Sequence, residues 1–475
     1  MRFKDRIQNI KYLIIPMIGI FFLLFYIRAA GADIVYSDYI RIINEYLPDV
    51  NNASKMFVPD ILTRIPATFL ARLVNVRTFS YSVTFDRILS LIGIAIMAWC
   101  LGYYFYRHEI SFKWQIMIYI VLFSLNKWEI LLNGTAWAHV VSFGLFFINY
   151  LLIDQVWNGE ATTRQELVIV IMPVIMLLFA GEYIVSYACT LILASLLGIL
   201  TGGANGNAGQ RERALFRSML VSATLALILY VTSRHFAVWE HSGATDAGII
   251  EVILQEPLYL PKFFIKTFAG AVVGQETINN FLPGGMPLPN RIVLIIGAAV
   301  LAGYILAFIT YFTADMLEHT IFPLILLISG FGNHMLVTIG RWIFMNESYA
   351  LSSRYSGQFM VGLIGMLLIF SMCDKYRRHY RRKDESKRTA VKAGVIFITV
   401  LIILGNCYTS YQEINKAKYR EANYERMMDA VLNYETYPEE ELMSMLEWHK
   451  SPDDLYNALN ILKDNKLNVF SRPHF

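Results

Sequence analysis

The sequence predicts an all-α, polytopic membrane protein, and three observations carry that prediction. Of 475 residues, 56% are hydrophobic and only 16% are charged, and the mean hydropathy is +0.45, too apolar for a soluble enzyme of this length. The apolar residues gather into about eleven stretches, each near the length needed to cross a bilayer, so a single membrane anchor is excluded. Lysine and arginine concentrate in short connections, the pattern that orients membrane helices.

Taken in order, spanning helices are expected near 12–28, 85–106, 114–126, 136–154, 167–181, 183–200, 215–233, 291–313, 320–339, 355–373 and 393–410. The first follows Arg2, Lys4, Arg6 and Lys11, but Arg28-Ala29-Ala30-Gly31-Ala32 is a poor cleavage signal, so it reads as a retained helix. The basic connections are the N-terminus, the segment with Arg211, Arg213 and Arg217, and 374–392 with Lys375, Arg377, Arg378 and Arg381 among others. All fall on one side if the N-terminus is cytoplasmic in the cell membrane, which sends loops 29–84 and 235–290 and the tail outward.

Two domains are expected: a membrane domain over 1–410 and an extracytoplasmic helical module over 411–475, where the composition turns polar and charged. In that module one helix should end at Leu432, a second open at Pro438, and a third begin at Ser451-Pro452-Asp453-Asp454, where a cap, a first-turn proline and first-turn acids coincide. The glycine-rich stretch 202–207 is a linker and not a phosphate loop, since no Lys-Ser/Thr follows it.

Cys100, Cys189, Cys373 and Cys407 lie within or beside apolar runs without CxxC spacing, so neither a disulfide framework nor a zinc site is suggested. The net charge of +4 is small and serves orientation, which gives no sign of a nucleic-acid partner.

The outward loops carry the chemistry. In 38–49, Asp38, Arg41, Glu45 and Asp49 form one helical stripe while Tyr39, Ile42, Ile43, Tyr46 and Leu47 cover the rest, as expected of a helix lying along the membrane surface with its tyrosines at headgroup depth. In the second loop Lys262 and Lys266 are four residues apart and flanked by Phe263, Phe264 and Ile265, a spacing that suits a lipid phosphate or plain snorkelling lysines. Arg341 and Arg354 at the ends of apolar helices are the best anion-binding candidates, because an arginine is costly to bury and forks onto phosphate oxygens. Each could instead pair with a neighbouring carboxylate such as Glu347 or Glu129. Glu129, Glu182 and His139 are further membrane-edge polar groups, expected to support the site or the acceptor.

One span, a long outward loop with an early acid in Gly31-Ala32-Asp33-Ile34-Val35-Tyr36-Ser37-Asp38-Tyr39, amphipathic loop helices, many further spans and an outward helical tail together resemble the GT-C-type membrane glycosyltransferases. The Ser-Asp-Tyr, Asn-Lys-Trp-Glu, Ser-Arg-Tyr and terminal Leu-Asn-Val-Phe segments are similar to bacterial members, within a class that decorates cell-surface polymers. The resemblance implies an inverting enzyme, a polyprenyl-phosphate sugar as donor, and a glycan or glycolipid hydroxyl as acceptor. It implies a first-loop acid as the base: Asp38, with Asp33 as runner-up, and cations that hold the leaving lipid phosphate. No cofactor is indicated, and no Asp-x-Asp motif identifies ligands for a divalent metal, whose involvement stays open. Rival classes are a polysaccharide polymerase or ligase, favoured if Arg341, Arg354 and His241 converge away from the first-loop acids, and a transporter of lipid-linked sugars. A membrane O-acyltransferase is disfavoured by histidines scattered without an acid partner. The groove for the prenyl chain is expected between 262–268 and the last spans.

Overall fold

The computed structural model describes residues 3–47, 49–57, 66–203, 210–235, 244–282, 285–376 and 385–471. His241, most of the glycine-rich linker and the arginines at 377–382 lie outside them. Among the described residues the regular structure is helical, apart from one isolated bridge between Leu282 and Met286.

The helices in chain order are α1 (Phe3–Ala30), α2 (Asp38–Tyr46), α3 (Pro66–Phe79), α4 (Val83–His108), α5 (Phe112–Phe123), α6 (Trp128–Leu132), α7 (Trp137–Trp157), α8 (Thr163–Ile175), α9 (Tyr183–Thr201) and α10 (Gln210–Arg234). They continue as α11 (Ile249–Gln255), α12 (Tyr259–Gly270), α13 (Gln275–Asn279), α14 (Asn290–Thr313), α15 (Phe322–Arg341), α16 (Ser353–Tyr376), α17 (Glu385–Leu432), α18 (Glu439–Met445) and α19 (Pro452–Asp464). Local signals explain several ends. Thr162 and Gln165 form a reciprocal capping box that opens α8, Gly202 closes α9 in the left-handed conformation at φ 74°, and Pro323 sits in the first turn of α15.

Among the described residues, ten helical segments are long and apolar enough to cross a membrane. The chain is therefore a multi-pass membrane protein, as the composition predicts. The expected span at 167–181 is a 13-residue helix, α8, that continues as a short 3-10 turn at Met176–Leu178. At about 20 Å it is shorter than the roughly 30 Å hydrocarbon layer. Its path still runs from one face to the other: Gln165 donates to Gln155 near the end of α7, while Glu182 just beyond α8 sits 3.7 Å from His139 at the start of α7. Helix α8 is not among the ten spanning candidates, and the Gly181-Glu182 turn separates it from α9.

Helix α16 is the axis of the bundle, with 94% of its spanning window buried. Small residues let its neighbour approach, since a Cβ on Gly330 of α15 would collide with the Gly362 backbone of α16. The described residues of 31–82, the α11–α13 segment and 433–471 all gather at one end of the bundle, called here the loop face.

Helix α17 is 48 residues long, or about 70 Å, so it rises well beyond the hydrocarbon layer. The polar tail thus begins as an unbroken extension of the last span, and the change at 411 is one of composition along a single helix. The expected breaks at Leu432, Pro438 and Ser451 are all present.

The tail then folds back over the first loop. Apolar Leu455, Ala458, Leu459 and Leu462 of α19 are buried, Asn44 of α2 donates to the Asp454 carbonyl at 2.8 Å and accepts from Asn457 at 3.1 Å, and the Ser37 amide donates to the Leu446 carbonyl at 2.8 Å. This corrects the expectation that α2 lies on the membrane surface. Its tyrosines, Tyr39 and Tyr46, are 1% and 4% exposed, packed into protein, because α3 and the tail supply the apolar cover that lipid headgroups would otherwise provide.

Candidate functional site

The placement of α2 starts from a buried clamp. Arg72 of α3 and Asp86 in the first turn of α4 form an ion pair at 2.5 Å with both side chains fully buried. The Tyr39 hydroxyl donates to the same Asp86 oxygen at 2.8 Å, and the Arg72 guanidinium lies over the Tyr39 and Tyr81 rings at 5.7 and 5.5 Å. Burial, and after it the Asp86 charge, raises the Tyr39 and Tyr81 phenols above their ordinary range against the opposing pull of Arg72. Asp38 precedes Tyr39, so the clamp that fixes the tyrosine also fixes the acid.

Asp38 faces Arg354 of α16, with Nη1 3.6 Å from the carboxylate. On its other side Arg354 is paired through Nε with Glu129 of α6, and Glu129 also accepts from the Ser353 hydroxyl at 2.9 Å. Three residues singled out from separate parts of the sequence therefore meet at the loop face. The Asp38 and Arg354 side chains are 40% and 42% exposed, so a dissolved or lipid-borne ligand can reach both. Arg41, the alternative partner of Asp38, pairs instead with Glu45 at 3.4 Å.

Asp33 has a different task. Its Oδ1 accepts from the amides of Val83 and Thr84 at 2.5 and 3.3 Å, and Oδ2 accepts from the Ser82 hydroxyl at 2.9 Å. It caps the N-terminus of α4, where a carboxylate is favoured by the exposed amides and the helix dipole. The runner-up base is thus engaged as a structural cap.

Arg341 lies over the Tyr355 ring at 5.7 Å, close enough to Arg354 for the two positive charges to oppose each other. Beside it are Glu182 and Tyr183, with His139 3.7 Å from Glu182 and packed edge-on against Tyr183. His139, Glu182 and Arg341 thus form a second polar group, joined to the Asp38–Arg354–Glu129 group through Tyr355. The paired-lysine expectation is corrected. Lys266 is buried and bound to Glu347 at 2.5 Å, leaving only Lys262 half-exposed at the surface of α12, so the two ammonium groups do not share one face toward lipid.

Glu129 also lines a cavity of about 430 Å³ at the loop face. Trp128 covers one side with its ring stacked under the Arg420 guanidinium at 3.3 Å. Arg420 in turn donates to the buried Glu413 at 2.7 Å, with Lys416 3.8 Å from the same residue. Tyr36, Tyr424, Glu276 and Glu447 complete much of the wall, and the two tyrosine hydroxyls are 3.0 Å apart.

Glu447 comes from the tail, in the turn after α18, where φ is 53°, a conformation that costs a non-glycine residue about 1–3 kcal/mol. Loss of solvation at the cavity wall, followed by the nearby Glu129 charge, raises its carboxyl above the ordinary range. Sequence reading missed Glu447, Glu276 and Arg420. The signal available was weak: an arginine, a lysine and an acid within 413–420 look like a solvated helix face, and nothing local says that this stretch meets Trp128.

A second, larger recess of about 710 Å³ lies between α1 and α17. Its lining includes Phe22, Phe25 and Ala29 of one helix and Ile414, Ala417 and Tyr419 of the other. This recess adjoins the polar cavity, whereas beside 262–268, the position expected for the prenyl groove, α12 packs against α14 and α15.

Among the described residues no three His, Cys, Asp or Glu side chains gather closely enough to hold a metal ion. No family model, curated protein or solved structure matches the chain.

Proposed function

We propose that the protein is a membrane glycosyltransferase that moves a sugar from a polyprenyl-phosphate donor to an acceptor hydroxyl on a glycan or glycolipid, on the extracytoplasmic side and with inversion. The observation that carries this reading is the Arg354 guanidinium held between Asp38 and Glu129 at the loop face of a membrane bundle, beside an aromatic-walled cavity. This arrangement pairs a carboxylate with an arginine where a lipid-linked anion would arrive.

The proposed reaction is a single displacement. The acceptor oxygen attacks the anomeric carbon, its proton passes to the Asp38 carboxylate, and the carbon–oxygen bond to the donor phosphate breaks with its electrons going to the phosphate. Asp38 suits the base role because its contact with Arg354 is a single one at 3.6 Å, whereas Glu129 is engaged by both Arg354 and Ser353 and Asp33 caps a helix. Arg354, with Arg341 behind Tyr355, supplies the positive charge that steadies the departing phosphate. A separate ligase-type site built only from arginines is disfavoured, because Asp38 meets Arg354 directly.

The test uses purified protein with a polyprenyl-phosphate sugar and an acceptor. Asp38→Asn should reduce turnover by about 10²-fold or more, the scale of a lost general base, while donor binding stays within twofold. Normal turnover in that variant removes the assignment. Arg354→Ala should weaken donor binding much more than acceptor binding, and equal effects would mark the arginine as structural.

A further inference from the structure

The groove between α1 and α17 is laid out for an amphipathic molecule. Both helices run toward the loop face, so Phe22 and Ile414 lie farther from it than Ala29 and Glu421 do. From 22 to 29 the groove follows α1 for about 10 Å. Phe25 and Ile414 on its flanks are 72% and 48% exposed, so the recess opens sideways, with an apolar wall from α1 and a mixed wall from α17, where Asn415, Lys418 and Glu421 stand beside Ile414 and Ala417.

Tyr419 belongs to the walls of both the groove and the 430 Å³ cavity. A chain in the groove would therefore place its head in the cavity, against Glu129 and next to Asp38 and Arg354.

The cavity's chemistry selects that head. Of its three cations, Arg420 and Lys416 are matched by the buried Glu413 and Arg426 donates to Asn423, while Glu129, Glu276 and Glu447 stand in the wall as acids. A phosphate would be opposed there. Hydroxyl groups donate to such carboxylates, and Trp128, Tyr419 and Tyr424 offer flat faces for a sugar ring. The cations suited to phosphate, Arg354 and Arg341, lie on the far side of Glu129.

We propose that the groove between α1 and α17 and the cavity joined to it through Tyr419 bind a membrane-anchored glycolipid, its apolar chain between the two helices and its uncharged sugar head against Glu129, Glu276 and Glu447. Resting on the transferase reading above, this makes the acceptor a lipid-linked sugar that enters sideways from the bilayer, opposite to the donor.

The experiment uses the full-length protein in phosphatidylcholine nanodiscs and three photoreactive probes carrying a diazirine in the chain: hexadecyl β-glucoside, hexadecanol and polyprenyl phosphate. The glucoside should label residues 22–29 and 414–421 at least fivefold more than hexadecanol does. Ala417→Trp and, separately, Ala29→Trp should cut that labelling at least fivefold and leave polyprenyl-phosphate labelling within twofold. Equal labelling by hexadecanol would make the groove an ordinary lipid crevice and overturn the proposal. Groove labelling by polyprenyl phosphate that Ala417→Trp abolishes would assign it to the donor, with the same result. If either variant fails to elute as a single folded species, peptide mapping of the labelled native protein decides. Labelling needs no turnover, so an inactive preparation, or an active Asp38→Asn, would sink the transferase reading while leaving the glycolipid site standing.

Discussion

Replacing Arg72 with methionine tests whether the buried clamp holds α2, and with it Asp38, in place. Arg72 and Asp86 are both fully buried with 2.5 Å between them, so removing the arginine leaves the Asp86 carboxylate with the Tyr39 hydroxyl at 2.8 Å but no facing cation from α3. Breaking one side of such a pair costs about 3–5 kcal/mol, because the remaining charge stays desolvated. Loss of the guanidinium from over Tyr39 and Tyr81 adds about 0.5–1 kcal/mol for each ring, partly offset by the methionine filling the same space. A destabilisation of about 4 kcal/mol is expected. The double variant Arg72→Met with Asp86→Leu removes the stranded charge, leaving mainly an unsatisfied Tyr39 hydroxyl worth about 1–3 kcal/mol, so it should be the more stable of the two. The assay is reversible unfolding in mixed micelles, read as a double-mutant cycle. A cost under about 1 kcal/mol for Arg72→Met, on the scale of an exposed pair, would refute the clamp. So would a double variant no more stable than the single one.

The remaining predictions concern the same loop face. A Cβ on Gly134 would sit 2.6 Å from the Asp86 Cβ and 2.7 Å from the Tyr39 hydroxyl, so Gly134→Ala should destabilise by about 1–3 kcal/mol through forced displacement, measured in the same micelles. Glu447 has a raised carboxyl, which means the folded state holds this proton more tightly than the unfolded state does. Its contribution is therefore fully present at acidic pH and is lost as pH rises through the folded pKa. Glu447→Gln should gain stability relative to the native protein on going from pH 4 to pH 7; a constant difference across that range would contradict the desolvated placement.

The sequence displayed the bundle because apolar length and basic connections act within each segment, and membrane crossing depends on those local properties. Tail breaks at Leu432, Pro438 and Ser451 were legible for the same reason, since caps and prolines act within a turn. What the sequence could not display was which segment covers which. Helix α2 reads as a membrane-surface helix because its apolar face needs some apolar cover, and only the fold reveals that α19 provides it. Lys266 reads as a lipid-phosphate ligand until Glu347, 81 positions away in the numbering of its ion pair, is brought beside it. Asp33 and Asp38 look alike as early loop acids. Their difference is geometric: one lies where the amides of α4 emerge, the other where α16 presents Arg354.

A mechanical consequence joins these parts. The polar cavity has walls from the first loop, from α6, from the extension of α17 and from the tail, which are distant in sequence and meet only when the tail is folded back. Asn44 and the Ser37 amide fasten the tail to both ends of the short stretch that carries Asp38, while the Arg72–Asp86 clamp fastens the same stretch to the membrane bundle. Asp38 is therefore braced from above and below, and neither brace touches its carboxylate. Such an arrangement keeps the acid's position rigid and its oxygens accessible, as proton transfer to a positioned group requires. The structural cost is borne away from the Asp38 carboxylate: by a fully buried ion pair in α3 and α4 and by a left-handed turn at Glu447.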